Sequence, residues 1–370
     1  MTEQPVTIAD APDVLEERSS SGFEPRTTVM LIAGFAAVVL LIVVALMPVK
    51  YAVLHPGPVL NTLGKADGKS LIAITGHATY LPTKGTLDLT TVSVVGGPDR
   101  PITLLQVIGG WLDKTAAVVP EEEIFPVGQT QQQSDDENKA EMVSSQESAT
   151  AAALGTLGIP VPTTLTIAGV ASSSPASGVL KTSDVILAVN GTTITDLEVL
   201  RSELQKTTAG NTVTVTVRRD GLSQTLTVKT AASPDDGHTV LGVYINPAFK
   251  FPFSVKIQIE DIGGPSAGMM FALGIIDTLT PGDLTGGKKI AGTGTIDADG
   301  TVGPIGGIRQ KLVGARRAGA RYFLAPADNC NEVRGHVPDG LTVVKTATLT
   351  QSRNDVTAIA AGNVSTLAGC

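Results

Sequence analysis

The strongest constraint in this sequence is an uncharged run from Thr27 to Val49, bounded by Arg26 and Lys50. A helix needs about 20 apolar residues to cross the hydrocarbon core of a bilayer. Inside that core each backbone N–H and C=O must be satisfied within the segment, so a lone run of this kind can only be a helix. Two other readings compete: a cleaved signal peptide and a buried core helix. A signal-peptide core is about 7–15 residues long and is followed by small residues at a cleavage site. This run is longer, and no such site follows convincingly. A core helix of this length with nothing charged in it is rare. Residues 27–49 are therefore expected to form a single transmembrane helix. Residues 1–26 are polar, acidic and proline-containing, and are expected to be a disordered cytoplasmic tail. Arg18 and Arg26 precede the span and Lys50 follows it. That bias favours a cytoplasmic N-terminus, with the bulk of the chain on the outer side of a cell membrane.

Beyond the span there is chain enough for two domains. Of the 370 residues, 42% are hydrophobic and 17% charged, which permits a sizeable core. A net charge of −8 argues against nucleic acid as a partner, because phosphate binding needs a basic face. Cys330 and Cys370 have no metal-ligand spacing, and could pair in an exported domain. His55, His77, His238 and His336 are scattered. No metal and no cofactor is expected.

Two short stretches carry the chemistry. In the first, Val255, Ile257 and Ile259 alternate with polar residues as in a strand. Gly263 and Gly264 then permit a sharp turn, and Pro265 suits the first turn of a helix. After Ser266 the run from Ala267 to Ile276 is apolar all round, which predicts a buried helix. A serine at such a helix start lies near unpaired backbone N–H groups, here around Gly264, Pro265 and Ala267, that can hold an oxyanion. The second stretch, Gly306-Gly307-Ile308-Arg309-Gln310-Lys311, predicts a helix opened by glycines. At helical spacing Lys311 neighbours Gly307, Ile308, Gly314, Ala315 and Ala318, whereas Arg309 and Arg316 share another face. Burial lowers a lysine's pKa and makes it a usable base. Each stretch alone also fits a helix cap or a solvated lysine.

The remaining segments are read as follows. Residues 50–155 are strand-rich, notably Thr86 to Val94, and are expected to pack with the C-terminal region. A helix is expected over 103–112. Ser134-Asp135-Asp136-Glu137 has the capping-box pattern and predicts a helix over 135–154. Residues 156–232 form a compact module: strands at 165–167, 213–217 and 225–228, a turn at Arg219-Asp220-Gly221, and an amphipathic helix at 196–204. Gly282 to Lys288 fits a phosphate loop only in part, since Lys289 stands where a Ser or Thr would bind magnesium.

Gly264-Pro265-Ser266-Ala267-Gly268 resembles the nucleophile motif of Lon-type serine proteases, and the run Val302 to Leu312 resembles their lysine motif. The separation of Ser266 and Lys311, 45 residues, is similar too. Thr293-Gly294-Thr295-Ile296 resembles the family's Thr-Gly strand. The resemblance implies Ser266 as nucleophile, Lys311 as general base and Thr293 as a supporting hydroxyl. Gly263 departs from the family, many of whose members carry an acidic residue there. The string from Ser174 to Gly191 resembles a PDZ domain, with Ser183-Asp184 in place of the usual Gly-Asp. PDZ domains bind extended peptides, often at a free C-terminus. A carboxylate-binding loop near Leu157-Gly158-Ile159-Pro160 is one candidate; a role as spacer or lid is the other.

The whole resembles the YlbL-type family of membrane-anchored PDZ–Lon proteases. The fold class implied is α+β: a transmembrane helix, a PDZ domain (156–232), a Lon-type α/β proteolytic domain (235–350) and a C-terminal helix or tail (351–370). The function implied is an ATP-independent, membrane-anchored serine endopeptidase acting on protein or peptide substrates. Lon relatives assemble into hexamers, so a homo-oligomer is implied as well. Two rival readings remain. One is a catalytically inactive, membrane-tethered PDZ scaffold. The other is a Ser-His hydrolase using His238 or His336.

Overall fold

The computed structural model describes residues 25–66, 68–81, 84–171, 173–234, 237–259 and 262–370. Of the expected N-terminal tail, residues 1–24, Arg18 among them, lie outside the described residues. Helix α1 (Pro25–Ala45) is long and apolar enough to cross a membrane, and none of its residues is buried against the rest of the chain. It ends short of Val49. Pro48 has no N–H to continue the helix, and Pro48–Val49 instead pairs antiparallel with Ile102–Thr103.

The chain then lays down β1 (Tyr51–Asn61), β2 (Thr86–Val95), α2 (Leu104–Leu112), β3 (Ala117–Pro120) and α3 (Gln131–Thr156). Helix α2 lies where the sequence puts it, with Thr103 and Gln106 closing a capping box. Helix α3 starts earlier than expected. The sequence holds two overlapping capping-box patterns, and it is Thr130 with Gln133 that caps the helix, not Ser134 with Glu137. The earlier start also lets the Gln131 amide donate to the Asp99 carboxylate, and it leaves Ser134 buried within the helix.

An inserted module follows: β4 (Thr163–Val170), β5 (Val185–Val189), α4 (Leu197–Gln205), β6 (Thr212–Arg219), β7 (Leu222–Lys229) and β8 (Val243–Phe249). The strands pair antiparallel in the order β7-β6-β5-β4-β8 around a separate core that includes Leu165, Ile167, Leu200 and Val215. The β6–β7 hairpin turns at Asp220 and Gly221, both with positive φ. The left-handed turn typical of hairpins requires this. Pairing carries the module past the expected boundaries at 232 and 235, because β8 runs along β4 from Val243↔Val170 to Phe249↔Thr163. At the base of this ladder the Lys250 amide donates to the Pro162 carbonyl at 2.9 Å. The chain therefore leaves and re-enters the main domain through paired strands. Leu157, Ile159 and Val161 pack on the core of the main domain rather than on that of the module.

The main domain resumes with α5 (Gly268–Leu279), β9 (Lys289–Gly292), α6 (Ile308–Arg317), β10 (Tyr322–Pro326), β11 (Thr342–Thr346) and α7 (Leu349–Ala361). Its sheet has the order β11-β10-β9-β2-β1-β3. The neighbours from β11 to β2 are parallel, and β1 and β3 run antiparallel. Segments from before and after the module thus share one sheet. Helix α5 has all twelve residues buried, among α3, α7 and the sheet. Helix α7 belongs to this core through Leu349, Val356 and Ile359, so the expected division at 350 falls inside a packed helix. Cys330 and Cys370 form a disulfide that ties the C-terminus to the domain.

Candidate active site

The turn before α5 is held by residues distant in sequence. Gly264 has φ +82, a conformation that favours glycine, and its amide donates to the Asn138 carbonyl at 3.0 Å. A side chain on Gly263 would place Cβ 2.8 Å from Cβ of Asn138, so α3 leaves no room for an acidic residue there without a shift. The Ser145 hydroxyl donates to the Pro265 carbonyl at 3.0 Å. On the other side, the Ser266 carbonyl accepts from the Gly294 amide at 2.8 Å and from the Thr293 hydroxyl at 2.9 Å. Ser266 is thereby gripped through its backbone, while its half-buried side chain stays open to a groove.

Helix α6 opens at Gly307, whose φ is +67. A Cβ there would stand 2.7 Å from Cγ2 of Val92, so the helix can approach β2 this closely only with glycine. Ile308, Leu312 and Ala315 fill a core beneath the helix, and Lys311 shares the buried side at 3% exposure. Arg309 and Arg316 point to solvent, as the spacing predicts. Nζ of Lys311 lies 2.8 Å from Oγ of Ser266 and 3.0 Å from Oγ1 of Thr293. Burial pushes the Lys311 ammonium from an ordinary value of 10.5 down to about 7.

These three groups form a directed set. The Thr293 hydroxyl commits its hydrogen to the Ser266 carbonyl, so it accepts from Lys311. A neutral lysine that donates to Thr293 turns its lone pair toward Ser266. The hydroxyl of Ser266 can then donate to that nitrogen.

The residues expected to hold an oxyanion are only partly available. The Gly264 N–H is already bonded to Asn138, and Pro265 has none. Both support the turn instead. The amides of Ser266 and Ala267 have no partner among the described residues, and they are the donors left for an oxyanion. Asn138 and Ser145 were not legible as site residues. Both lie in a segment whose composition suggests a linker, more than a hundred residues before Ser266. The Ser266 hydroxyl is paired with Lys311, and the His336 ring with the Arg334 carbonyl, so the side-chain partner seen for the serine is the lysine. The described residues hold no group of three potential metal ligands.

The site faces a groove of about 1460 Å³, flanked by the stretch Val92–Val95 of β2 and by the N-terminal half of α3. β9 pairs with β2 only from Thr86 to Leu89. Val92–Val95 therefore offers a strand edge without a strand partner, among the described residues, on the groove side.

Comparison with known proteins agrees with this architecture. The profile of the Lon protease (S16) C-terminal proteolytic domain matches residues 260–361, and that of the PDZ domain matches residues 132–230. The chain carries an S16-type Lon proteolytic domain and a PDZ domain. Lon protease 1 of Bacillus subtilis is 33% identical over 107 residues, which is 27% of this chain and 14% of that protein. Lon protease 1 of Sorangium cellulosum is 47% identical over 66 residues, 18% of this chain and 8% of that protein. The chain thus spans a small part of the length of the Lon proteases it matches. Among solved structures, the PDZ domain of an SdrC-like protein from Listeria monocytogenes covers 22% of this chain and 85% of its own, at 18% identity and a TM-score of 0.21. The PDZ match begins within α3, but α3 packs in the core of the Lon domain. The PDZ sheet itself runs from Thr163 to Phe249 and is inserted between α3 and the Ser266 turn.

Proposed function

We propose that this protein is a membrane-anchored serine endopeptidase that works without ATP, using Ser266 as nucleophile and Lys311 as general base. The observation that carries this reading is the buried lysine amine 2.8 Å from the serine hydroxyl. With its pKa lowered to about 7, half of Lys311 is neutral at that pH, where a free lysine would be almost wholly protonated. Lys311 takes the proton of Ser266 as Oγ attacks the substrate carbonyl. The amides of Ser266 and Ala267 stabilise the oxyanion. Lys311 then passes the proton to the leaving amine, and water activated by Lys311 resolves the acyl-enzyme. Each step uses groups present in the chain, and none calls on nucleotide hydrolysis.

The substrate is an extended polypeptide that adds as a strand to Val92–Val95. The PDZ domain offers a second such edge. β8 is the terminal strand of its sheet and is preceded by buried Leu241 and by Gly242, whose φ is +69. These features support peptide capture at Leu241-Gly242-Val243, while Leu157 and Ile159 pack on the core of the main domain. Helix α1, long and apolar enough to cross a membrane, supports the anchoring. The Cys330–Cys370 disulfide favours an oxidising compartment and so agrees with an extracytoplasmic catalytic region. Assembly into a ring is part of the same proposal, by analogy with Lon proteases.

The test is proteolysis of an unfolded protein by the purified chain in detergent without nucleotide. Cleavage that persists when ATP is removed supports the reading. An inert parent whose PDZ domain still binds peptides would instead favour the scaffold. Thr293→Val removes the hydroxyl that orients the lysine while keeping its shape. It is expected to lower kcat by about 10–100-fold with little change in KM, because the amine drifts from its attack geometry. Thr293→Ser is expected to recover most of the rate, and equal losses in both variants would speak against an orienting role.

A further inference from the structure

We infer that α2 is a membrane-interface helix, lying in the headgroup region beside the point where α1 leaves the bilayer. The inference rests on reading α1 as a membrane span. In α2, Val107 and Gly110 face inward. Val107 joins Val53 and Ile102 in a small core, and Gly110 lets the helix sit close to Val53 and Val118, where a Cβ would stand 2.9 and 2.8 Å from their methyl groups. The opposite face is also apolar. Leu105, Ile108, Trp111 and Leu112 are 57%, 39%, 64% and 79% exposed. Their spacing of three and four residues puts them on one side of the helix. The exposed face of a water-soluble helix is normally polar. Here nine residues contain no charge at all.

The location identifies what covers this face. The Leu104 amide donates to the Met47 carbonyl at 3.1 Å, and Pro48–Val49 pairs with Thr103–Ile102. The start of α2 is therefore one strand spacing, about 5 Å, from the end of the span. Leu46 and Met47, also exposed, join the apolar surface of α1 to that of α2. A single bilayer surface covers both. Lys50 and Lys114 are exposed beside the helix ends, where they can meet lipid phosphates. A helix at this depth buries its outward apolar face in the boundary between headgroups and acyl chains, and tryptophan favours that zone. Gln106 of α2, with Arg100 and Ile102 just before it, also lines the groove that holds Ser266. The interface helix therefore sets the height of the groove above the membrane.

Trp111 is the chain's one tryptophan, so its emission reports on α2 alone. The experiment places the full chain in vesicles of phosphatidylcholine and phosphatidylglycerol, with or without phosphatidylcholine brominated near the headgroup end of its acyl chains. Flotation of the vesicles is scored separately. The expected result is co-flotation with emission quenched about two-fold by the brominated lipid, as for an indole at the boundary. The variant carrying Leu105→Ser, Ile108→Ser and Leu112→Ser keeps Trp111 and α1, and is expected to float but to lose most of the quenching. A parent that floats with unquenched emission overturns the inference and leaves the anchor intact. Unquenched emission that is blue-shifted, and shifts red when the protein is diluted in the vesicles, also overturns it and gives the face to a second copy of the chain. A parent that fails to float overturns the anchor and the inference together.

Discussion

Ser266→Ala and Lys311→Met are each expected to reduce kcat/KM for peptide cleavage by about 10⁴-fold or more, since the members of a nucleophile–base pair act as a unit. The double variant is expected to lose little more than either single one. In the parent, kcat/KM should rise with pH through a single ionisation near 7, because only neutral Lys311 accepts the serine proton. The same shift leaves a mark on stability. In the unfolded chain Lys311 holds its proton up to about 10.5, whereas in the folded chain it releases it near 7. Between these values the unfolded state binds more protons, so this residue makes stability increase with pH across that window. Below about 7 the penalty for burying the charge is present in full. Lys311→Met should remove that slope, and should fold at least as well as the parent at neutral pH. Full activity in either single variant, in protein shown to be folded by its unfolding transition, would falsify the dyad.

Phe271→Ala is expected to cost about 3–5 kcal/mol of stability, the range for emptying a fully enclosed aromatic site. Phe271 is 0% exposed and lies one turn into α5, where every residue is buried. The neighbours are sheet and helices on all sides, so the cavity has little room to collapse. The effect should reach the active site as well, since Ser266 is positioned by the start of this helix. Denaturant unfolding of the Lon domain is the measurement. A loss below about 1 kcal/mol would show that the core around α5 repacks freely.

How much of this was legible depended on the range of the interactions. Ser266 and Lys311 stood out because local sequence marks both stretches, with glycines that turn the chain and a helix whose burial is written in its composition, and because the two stretches together resemble the motifs of Lon-type proteases. Local sequence likewise marks the helix expected over 103–112 and the turn at Arg219-Asp220-Gly221. Contacts made across the chain were not legible. Asn138 and Ser145 fix the serine turn from a segment rich in Gln, Ser, Asp and Glu. The last PDZ strand, Val243–Phe249, is assigned to its sheet only by pairing with β4. Local sequence could equally have made it the first strand of the protease. The start of α3 was misplaced because two capping boxes overlap, and a remote carboxylate, Asp99, supports the earlier one. The pairing of Cys330 with Cys370 was left open because no local pattern brings position 370 beside position 330.

The paired strands at the base of the PDZ domain have a mechanical meaning. The two connections lie side by side as one stalk, and the Arg201 guanidinium of α4 reaches across to the Asp299 carboxylate of the main domain at 2.6 Å, a second tie between the two domains. The returning strand of that stalk is β8, and the chain runs on from it through the Ser254–Ile257 strand, which is pinned to Ile72–Thr75, into the serine turn. Under the proposed function, a peptide that adds to β8 stiffens one end of this tether, and Ser266 lies at the other. On that reading, the pairing of Ser254–Ile257 with Ile72–Thr75 sets how much of a pull on the bound peptide reaches the serine turn.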